Sequence, residues 1–150
     1  MRLISVVILS LLIGACSSAP KQYMLTINIH AAKNINPNLQ GKPSPLEIRV
    51  YELSDDLAFT QNTFITLFES DQEALKDTLL LKRVFIGVEP GSKRTHKLPL
   101  AAKTHYLGIL GGFADYQQAS NKKTTAITVK DNVIVDIFID GTSITTRKQD

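Results

Sequence analysis

The chain reads as an all-β protein, a two-sheet antiparallel β-sandwich with a short helical insertion. Three observations predict it. Apolar and polar residues alternate over several stretches, which is the period of a half-buried strand. Turn signals separate these stretches at hairpin-like spacing. One segment, residues 55–77, switches to helical spacing and interrupts the strands, which gives a sandwich with a local insertion.

Taken in order, the elements are as follows. From Tyr23 the residues Leu25, Ile27, Ile29 and Ala31 fall on one face, with Thr26, Asn28 and His30 on the other. Residues 34–45 hold three prolines and one glycine in twelve positions, which excludes a regular element. Leu46, Ile48 and Val50 resume the alternation to about Leu53. In the insertion, Leu57, Phe59, Phe64, Leu67 and Phe68 recur at helical spacing, and the expected role of this cluster is packing onto the sheet. Ser70-Asp71-Gln72-Glu73 matches a capping box, in which Ser and Glu satisfy each other's backbone amides.

Strands return at Leu79, where Leu80, Val84, Ile86 and Val88 suit one buried face. Glu89-Pro90-Gly91-Ser92 fits a type II turn, with Pro and Gly at its central positions. A polar strand over 92–98 follows, then a longer apolar one over 104–114, whose Gly108, Gly111 and Gly112 suggest a bulge or a close backbone approach. Lys130-Asp131-Asn132 turns between 126–129 and 133–139, and Ile144 marks a last short strand. About eight strands result, with no internal repeat.

With 150 residues, 43% apolar and 21% charged, the chain holds one domain. Seventeen basic and fourteen acidic residues leave a net charge of +3, far from the strongly basic profile of a dedicated nucleic-acid binder. The single cysteine, Cys16, excludes a disulfide within the chain.

That cysteine ends a distinctive N-terminus. Residues 3–15 are uncharged and almost wholly apolar behind Arg2. The run is too short to span a bilayer comfortably and reads as a secretory signal peptide over 1–15. A plain cleavage site fits poorly, because Ile13 is too large for the −3 position and Pro20 blocks the next option. Leu12-Ile13-Gly14-Ala15-Cys16 instead resembles the bacterial lipobox, whose Cys becomes the lipidated first residue. The similarity to Gram-negative lipoproteins implies a diacylglyceryl thioether and an N-acyl chain on Cys16. Two or more chains give stable anchoring. Ser17 stands where an Asp commonly retains such proteins at the inner membrane, so the expected site is the outer membrane, facing the periplasm. Residues 16–22 form the lipidated Cys and tether, and 23–150 the domain. Sixteen basic residues then face fourteen acidic ones, a net charge of +2.

Motifs for catalysis are missing. His30, His96 and His105 form neither an HxxxH nor an HExxH pair, no second Cys is present for zinc, and there is no GxSxG elbow. No enzyme activity, metal or small-molecule substrate is expected, and no cofactor beyond the covalent lipid. The pairs Lys93-Arg94 and Lys122-Lys123 read as solvated turn charges, with contact to anionic headgroups or an acidic partner as the sharper alternative. The 34–45 loop stands out, because its prolines preorganise it and twelve residues is a length at which loops tend to carry function.

Asn36-Pro37-Asn38, Gly41-Lys42-Pro43-Ser44-Pro45 and Leu46-Glu-Ile-Arg-Val-Tyr51-Glu-Leu53 resemble the N-terminal signature of the type VI secretion outer-membrane lipoprotein TssJ family. Phe59 and Phe64–Phe68 resemble that family's aromatic helical insertion, Pro90-Gly91 its turn, and Tyr106-Leu107-Gly108-Ile109 its long strand. One departure is visible: near Ser120-Asn121-Lys122 the family often has a Trp-Arg pair, and this chain contains no Trp. The resemblance implies a transthyretin-like sandwich and a non-enzymatic assembly role. The implied partner is the periplasmic domain of TssM, which associates with TssL. The implied partner-binding residues are Asn36, Pro37, Asn38, Gly41, Pro43 and Pro45, with Cys16 lipidated. A periplasm-facing carrier lipoprotein is the alternative, and it needs a sizeable apolar cavity.

Overall fold

The computed structural model describes residues 21–149. The signal segment, its cleavage point and Cys16 lie outside the described residues. Eight strands follow: β1 Met24–Ala31, β2 Leu46–Leu53, β3 Leu79–Val88, β4 Lys93–Pro99, β5 Tyr106–Gly111, β6 Lys122–Ala126, β7 Val133–Asp140 and β8 Ser143–Gln149. They form two four-stranded sheets, ordered β4-β1-β7-β8 and β3-β2-β5-β6.

Every strand-to-strand ladder is antiparallel except β1 with β7, which is parallel; an isolated parallel bridge also joins Ser120 to Ser143. Chain direction explains this exception. Successive strands alternate up and down, so odd-numbered strands run one way, and β1 and β7 are the one odd–odd pair of neighbours. All connections therefore fall at two ends. The chain enters at one end. The β1–β2 loop, the β3–β4 turn, the β5–β6 loop and the β7–β8 turn gather at the other.

Alternation in β1, β2 and β7 turns Leu25, Ile27, Ile29, Ile48, Val50, Val135 and Ile137 into a core between the sheets. β2 is buried on its other face too. There Tyr51 and Leu53 meet Phe59, Leu67, Leu75 and Leu110 in a second core beneath the helices α1 Leu57–Gln61, α2 Phe64–Glu69 and α3 Asp71–Leu75. The insertion is thus a third layer over the second sheet. Gly108 is the close approach anticipated in β5, since a Cβ there would lie 2.9 Å from the Phe59 ring.

Three expectations need correction. The capping box does not form, and the Ser70 side chain makes no cap bond. Ser70 also ends α2, its N–H donating to Thr66 O, so one residue serves two helices and is set for neither. α2 itself is capped by Thr63, whose hydroxyl accepts from Thr66 N at 3.2 Å.

The predicted face of β3 is also wrong. Val84 and Ile86 are 43% and 74% exposed, while Phe85 and Val88 are buried. Leu46 pairs with Val88 but Ile48 with Phe85, so β3 carries one extra residue beside Gly87, whose φ is +63. A β-bulge with glycine in the left-handed region shifts the side-chain parity by one.

The third correction concerns the basic pairs, which are not simply solvated. Arg94 donates to the carbonyls of Ile86 and Gly87 on the outer edge of β3. Lys122 Nζ donates to Phe59 O, Thr60 O and Asn62 O at 3.2, 3.1 and 2.5 Å, closing the last turn of α1. Burial lowers the Lys122 pKa.

The outer face of the first sheet holds a polar web. Asp136 is buried there and accepts from Asn28, Arg147 and Gln149, with His30 at 3.5 Å. Burial pushes its carboxyl up, but the hydrogen bonds from Gln149, Asn28, Arg147 and His30 outweigh this and hold its pKa down to about 2. His96 lies on β4 in the first sheet, whereas His105, just before β5, bonds to the carbonyls of Leu53 and Ser54 at the end of β2. Among the described residues no group of three metal-ligating side chains gathers.

Candidate partner-docking loop

The segment joining β1 to β2 crosses from one sheet to the other, which two residues cannot do. Its sequence folds it inward by hydrogen bonding. Ile35 is buried in the main core and its carbonyl accepts from Ser44 N at 3.2 Å, so both limbs of the loop are tied together. Asn36 follows at φ +47, a conformation that Asn tolerates better than most residues. Its buried amide spans three segments. Nδ2 donates to Pro45 O at 2.9 Å, Oδ1 accepts from Ala114 N at 2.8 Å, and the backbone N–H donates to Gly141 O at 2.8 Å. Ser44 Oγ donates to Asn36 O at 2.6 Å.

Asn38 organises the tip. Its Oδ1 accepts from Gln40 N and Lys42 N at 2.9 and 3.0 Å, and its carbonyl accepts from Gly41 N. Gly41 takes φ +72, which lets the chain reverse without a Cβ clash. Asn34 fastens the base through Asp140 Oδ1 at 2.7 Å. The loop is therefore a folded unit held by its own amides.

At its apex Leu39 is 105% exposed, more than in an extended chain. Leu39, Pro37, Asn38 and Gly41 line a surface depression of about 570 Å³ with Ala114, Asp115 and Thr142 from the two neighbouring connections. Next to Asp115, the ring of Tyr116 stacks on Phe64 at 5.2 Å, so the loop end borders the helical insertion.

The structure brings Asn36, Pro37, Asn38, Gly41, Pro43 and Pro45 into one loop but gives them different duties. Gly41, Pro43 and Pro45 are exposed, Pro37 and Asn38 half-buried, and Asn36 faces inward, so Asn36 positions the loop rather than presenting a side chain. Sequence reasoning missed Leu39 and Tyr116. Leu39 had a signal: an apolar residue flanked by Asn38 and Gln40 in a loop too polar to bury it. Tyr116 had none, because its stacking partner is distant in sequence. The aromatic cluster itself is packing. Phe59 is 1% exposed and tilts against Tyr51 at 5.6 Å. Tyr51 donates to Asp71 Oδ2 at 3.1 Å, where Lys82 also binds at 2.7 Å.

Two four-stranded sheets over a packed core, with helices on one outer face and a folded loop at one end, define an all-β sandwich domain. Comparison with known proteins gives the particular family. The profile of the family described as type VI secretion lipoprotein (VasD, EvfM, TssJ) matches residues 24–142, and the chain belongs to this family. It is similar to the crystal structure of the type VI secretion lipoprotein TssJ1 from Pseudomonas aeruginosa, with 26% identity and a TM-score of 0.80 over 87% of this chain and 98% of that one. It shares its fold with Serratia marcescens Lip, a membrane-bound component of the type VI secretion system, at 20% identity and a TM-score of 0.73, over 88% and 99% of the two chains. A chain of a structure described as a type VI membrane complex matches at 20% identity and a TM-score of 0.71, over 85% and 99%. Curated protein sequences give no match. The chain is thus a member of the type VI secretion lipoprotein family, with the sandwich fold of its structurally known members.

Proposed function

We propose that this chain is an outer-membrane-anchored structural lipoprotein. It docks the periplasmic domain of TssM through the β1–β2 loop and so links the outer membrane to the inner-membrane proteins TssM and TssL. Its role is to hold, with no catalysis and no small-molecule substrate. The acyl chains on Cys16 carry the anchoring, and the domain faces the periplasm.

The observation that carries the docking reading is Leu39. The loop's own amides fix it in water at the apex of an ordered turn, beside a depression shaped by two neighbouring connections. Covering a leucine side chain is worth about 1.5–3 kcal/mol, the scale of an interface hot spot. The test is capture of purified TssM periplasmic domain by Leu39→Asp and by wild type. Capture should fall roughly tenfold or more, with an unchanged melting temperature, because the substitution removes no internal contact. Equal capture by both proteins overturns the loop assignment.

A further inference from the structure

The small net charge of the chain hides a strong internal division. Residues 54–78 hold six acids against one base, Lys76, whereas the rest of the chain from residue 16 holds fifteen bases against eight acids. The two ends of the sandwich differ as well. At the loop end, the connections over 33–45, 89–92, 113–120 and 140–142 carry two bases, Lys33 and Lys42, and three acids, Glu89, Asp115 and Asp140. At the end where the chain enters β1, residues 21–24, 97–105 and 127–132 carry Lys21, Lys97, Lys103 and Lys130 against Asp131, while Asp55, Asp56, Lys76 and Asp77 stand at the same end where the insertion leaves β2 and rejoins β3.

Lys21, Lys97, Lys103 and Lys130 are exposed, and none forms an ion pair with a described residue. They share one rim. Met24 N donates to Asn132 Oδ1, next to Lys130 and Asp131. Gln22 donates to Leu100 O, between Lys97 and Lys103. Lys97 pairs with Thr26 near the start of β1. Asp55, Asp56 and Asp77 lie on the second-sheet side of this end, where Ser54 N donates to Thr78 O and His105 bonds to the carbonyls of Leu53 and Ser54, so Lys103 borders them while Lys21, Lys97 and Lys130 stand beside the first sheet.

We propose that this lysine rim is an electrostatic footprint for anionic phospholipid headgroups, which sets the domain upright with its docking loop pointing away from the bilayer. The proposal rests on lipidation of Cys16. The six residues 17–22 reach at most about 20 Å when extended, so the entry end of the sandwich cannot move far from the membrane. Anionic surfaces attract Lys and Arg within a Debye length, about 8 Å at physiological salt. The rim lies on the side that the tether holds close. The acidic insertion flanks it on one side only, so repulsion there tilts the first sheet towards the headgroups.

The test uses the lipidated full chain on vesicles of phosphatidylcholine, with and without phosphatidylglycerol. Because the only cysteine is acylated, a single added thiol reports its own surroundings. Thr128→Cys places it in the β6–β7 connection at the rim, and Glu89→Cys places it at the far turn. On vesicles containing phosphatidylglycerol at low salt, the thiol at 128 should react with a soluble maleimide roughly tenfold more slowly than the one at 89. This ratio should collapse without phosphatidylglycerol, at high salt, or with Lys97, Lys103 and Lys130 all changed to Glu. A ratio independent of lipid charge, or one that survives charge reversal, overturns the footprint. Failure of the chain to float with any vesicle points instead to failure of the lipid anchor. The Cys16→Ser chain then tests the rim alone: salt-sensitive sedimentation with phosphatidylglycerol vesicles supports it, and none overturns it.

Discussion

The β1–β2 loop and the helical insertion both break the strand pattern, and they do so with opposite polarity. In the insertion, Phe59, Leu67 and Leu75 turn inward onto Tyr51 and Leu110. Asp55, Glu69 and Glu73 are exposed, while Asp71 is buried on Tyr51 and Lys82, and Leu57 and Ile65 are the apolar exceptions that reach solvent. In the loop, the amides of Asn36 and Asn38 turn inward onto backbone groups, and the large apolar Leu39 turns out. The first arrangement is that of an element built for the stability of its own domain. The second places an apolar side chain against the burial gradient while satisfying its hydrogen bonds internally, the arrangement that the proposed docking uses. On the proposed reading the contrast separates residues that hold the fold from residues that meet a partner, and substitutions on each side test that separation.

The largest expected effect lies in the insertion. Phe59→Ala removes a fully buried ring that packs against Tyr51, Leu53 and Gly108, leaving a cavity between the helices and the second sheet. It should cost about 3–5 kcal/mol in urea denaturation. TssM capture below the unfolding transition should stay at the wild-type level. A loss of capture at full folding would show that the insertion belongs to the interface, and would break the division.

Much of this contrast was legible in the sequence. The spacing of Leu25, Ile27 and Ile29, and of Val133, Val135 and Ile137, carries its own register, because a one-residue slip would put these side chains in water. The aromatic spacing of 55–77 and the proline density of 34–45 located both exceptions. What stayed hidden depends on single-residue geometry or on distant partners. The bulge at Gly87 inverts the faces of Val84 and Ile86 without disturbing their alternation. The parallel pairing of β1 with β7 follows from sheet order, which local pattern does not encode. Lys122 reads as a surface charge until the carbonyls of a turn about sixty residues earlier in the chain are placed around it. Asn36 looks like a contact residue because loops usually present their polar groups; only the fold shows Ala114 N and Pro45 O waiting inside.

The next effect falls on the loop and has two parts. Asn36→Ala removes hydrogen bonds to Pro45 O and Ala114 N, leaving those groups without that partner, and puts Ala at φ +47. The combined cost should be about 2–4 kcal/mol. Unlike Phe59→Ala, it should also reduce TssM capture at temperatures where the domain is folded, because Leu39 loses its fixed position. Asn36→Asp sharpens the point. It keeps an acceptor for Ala114 N and a residue tolerant of the left-handed region, but sets a buried carboxylate oxygen against Pro45 O, so at neutral pH it should destabilise at least as much as Ala and recover as acid protonates the carboxyl and restores a donor. Full capture by Asn36→Ala would mean that the order of the loop is irrelevant to docking.

The smallest effect tests whether a charge can belong wholly to the structural side. Lys122→Met keeps a flexible apolar stem against Phe59 and removes three donations to the end of α1. Water can reach part of this site, since Lys122 is only half-buried, so the carbonyls do not lose the full value of charged hydrogen bonds. A loss of about 1–2 kcal/mol is expected. Hydrogen exchange should rise first in residues 57–62, because the last turn of a short helix depends on outside donors once its own amides end. TssM capture and the lipid dependence of the lysine rim should both stay unchanged, since the Lys122 ammonium faces the insertion and not the entry end. A change in either would place Lys122 at a surface after all, and the division between holding and meeting would no longer follow side-chain direction.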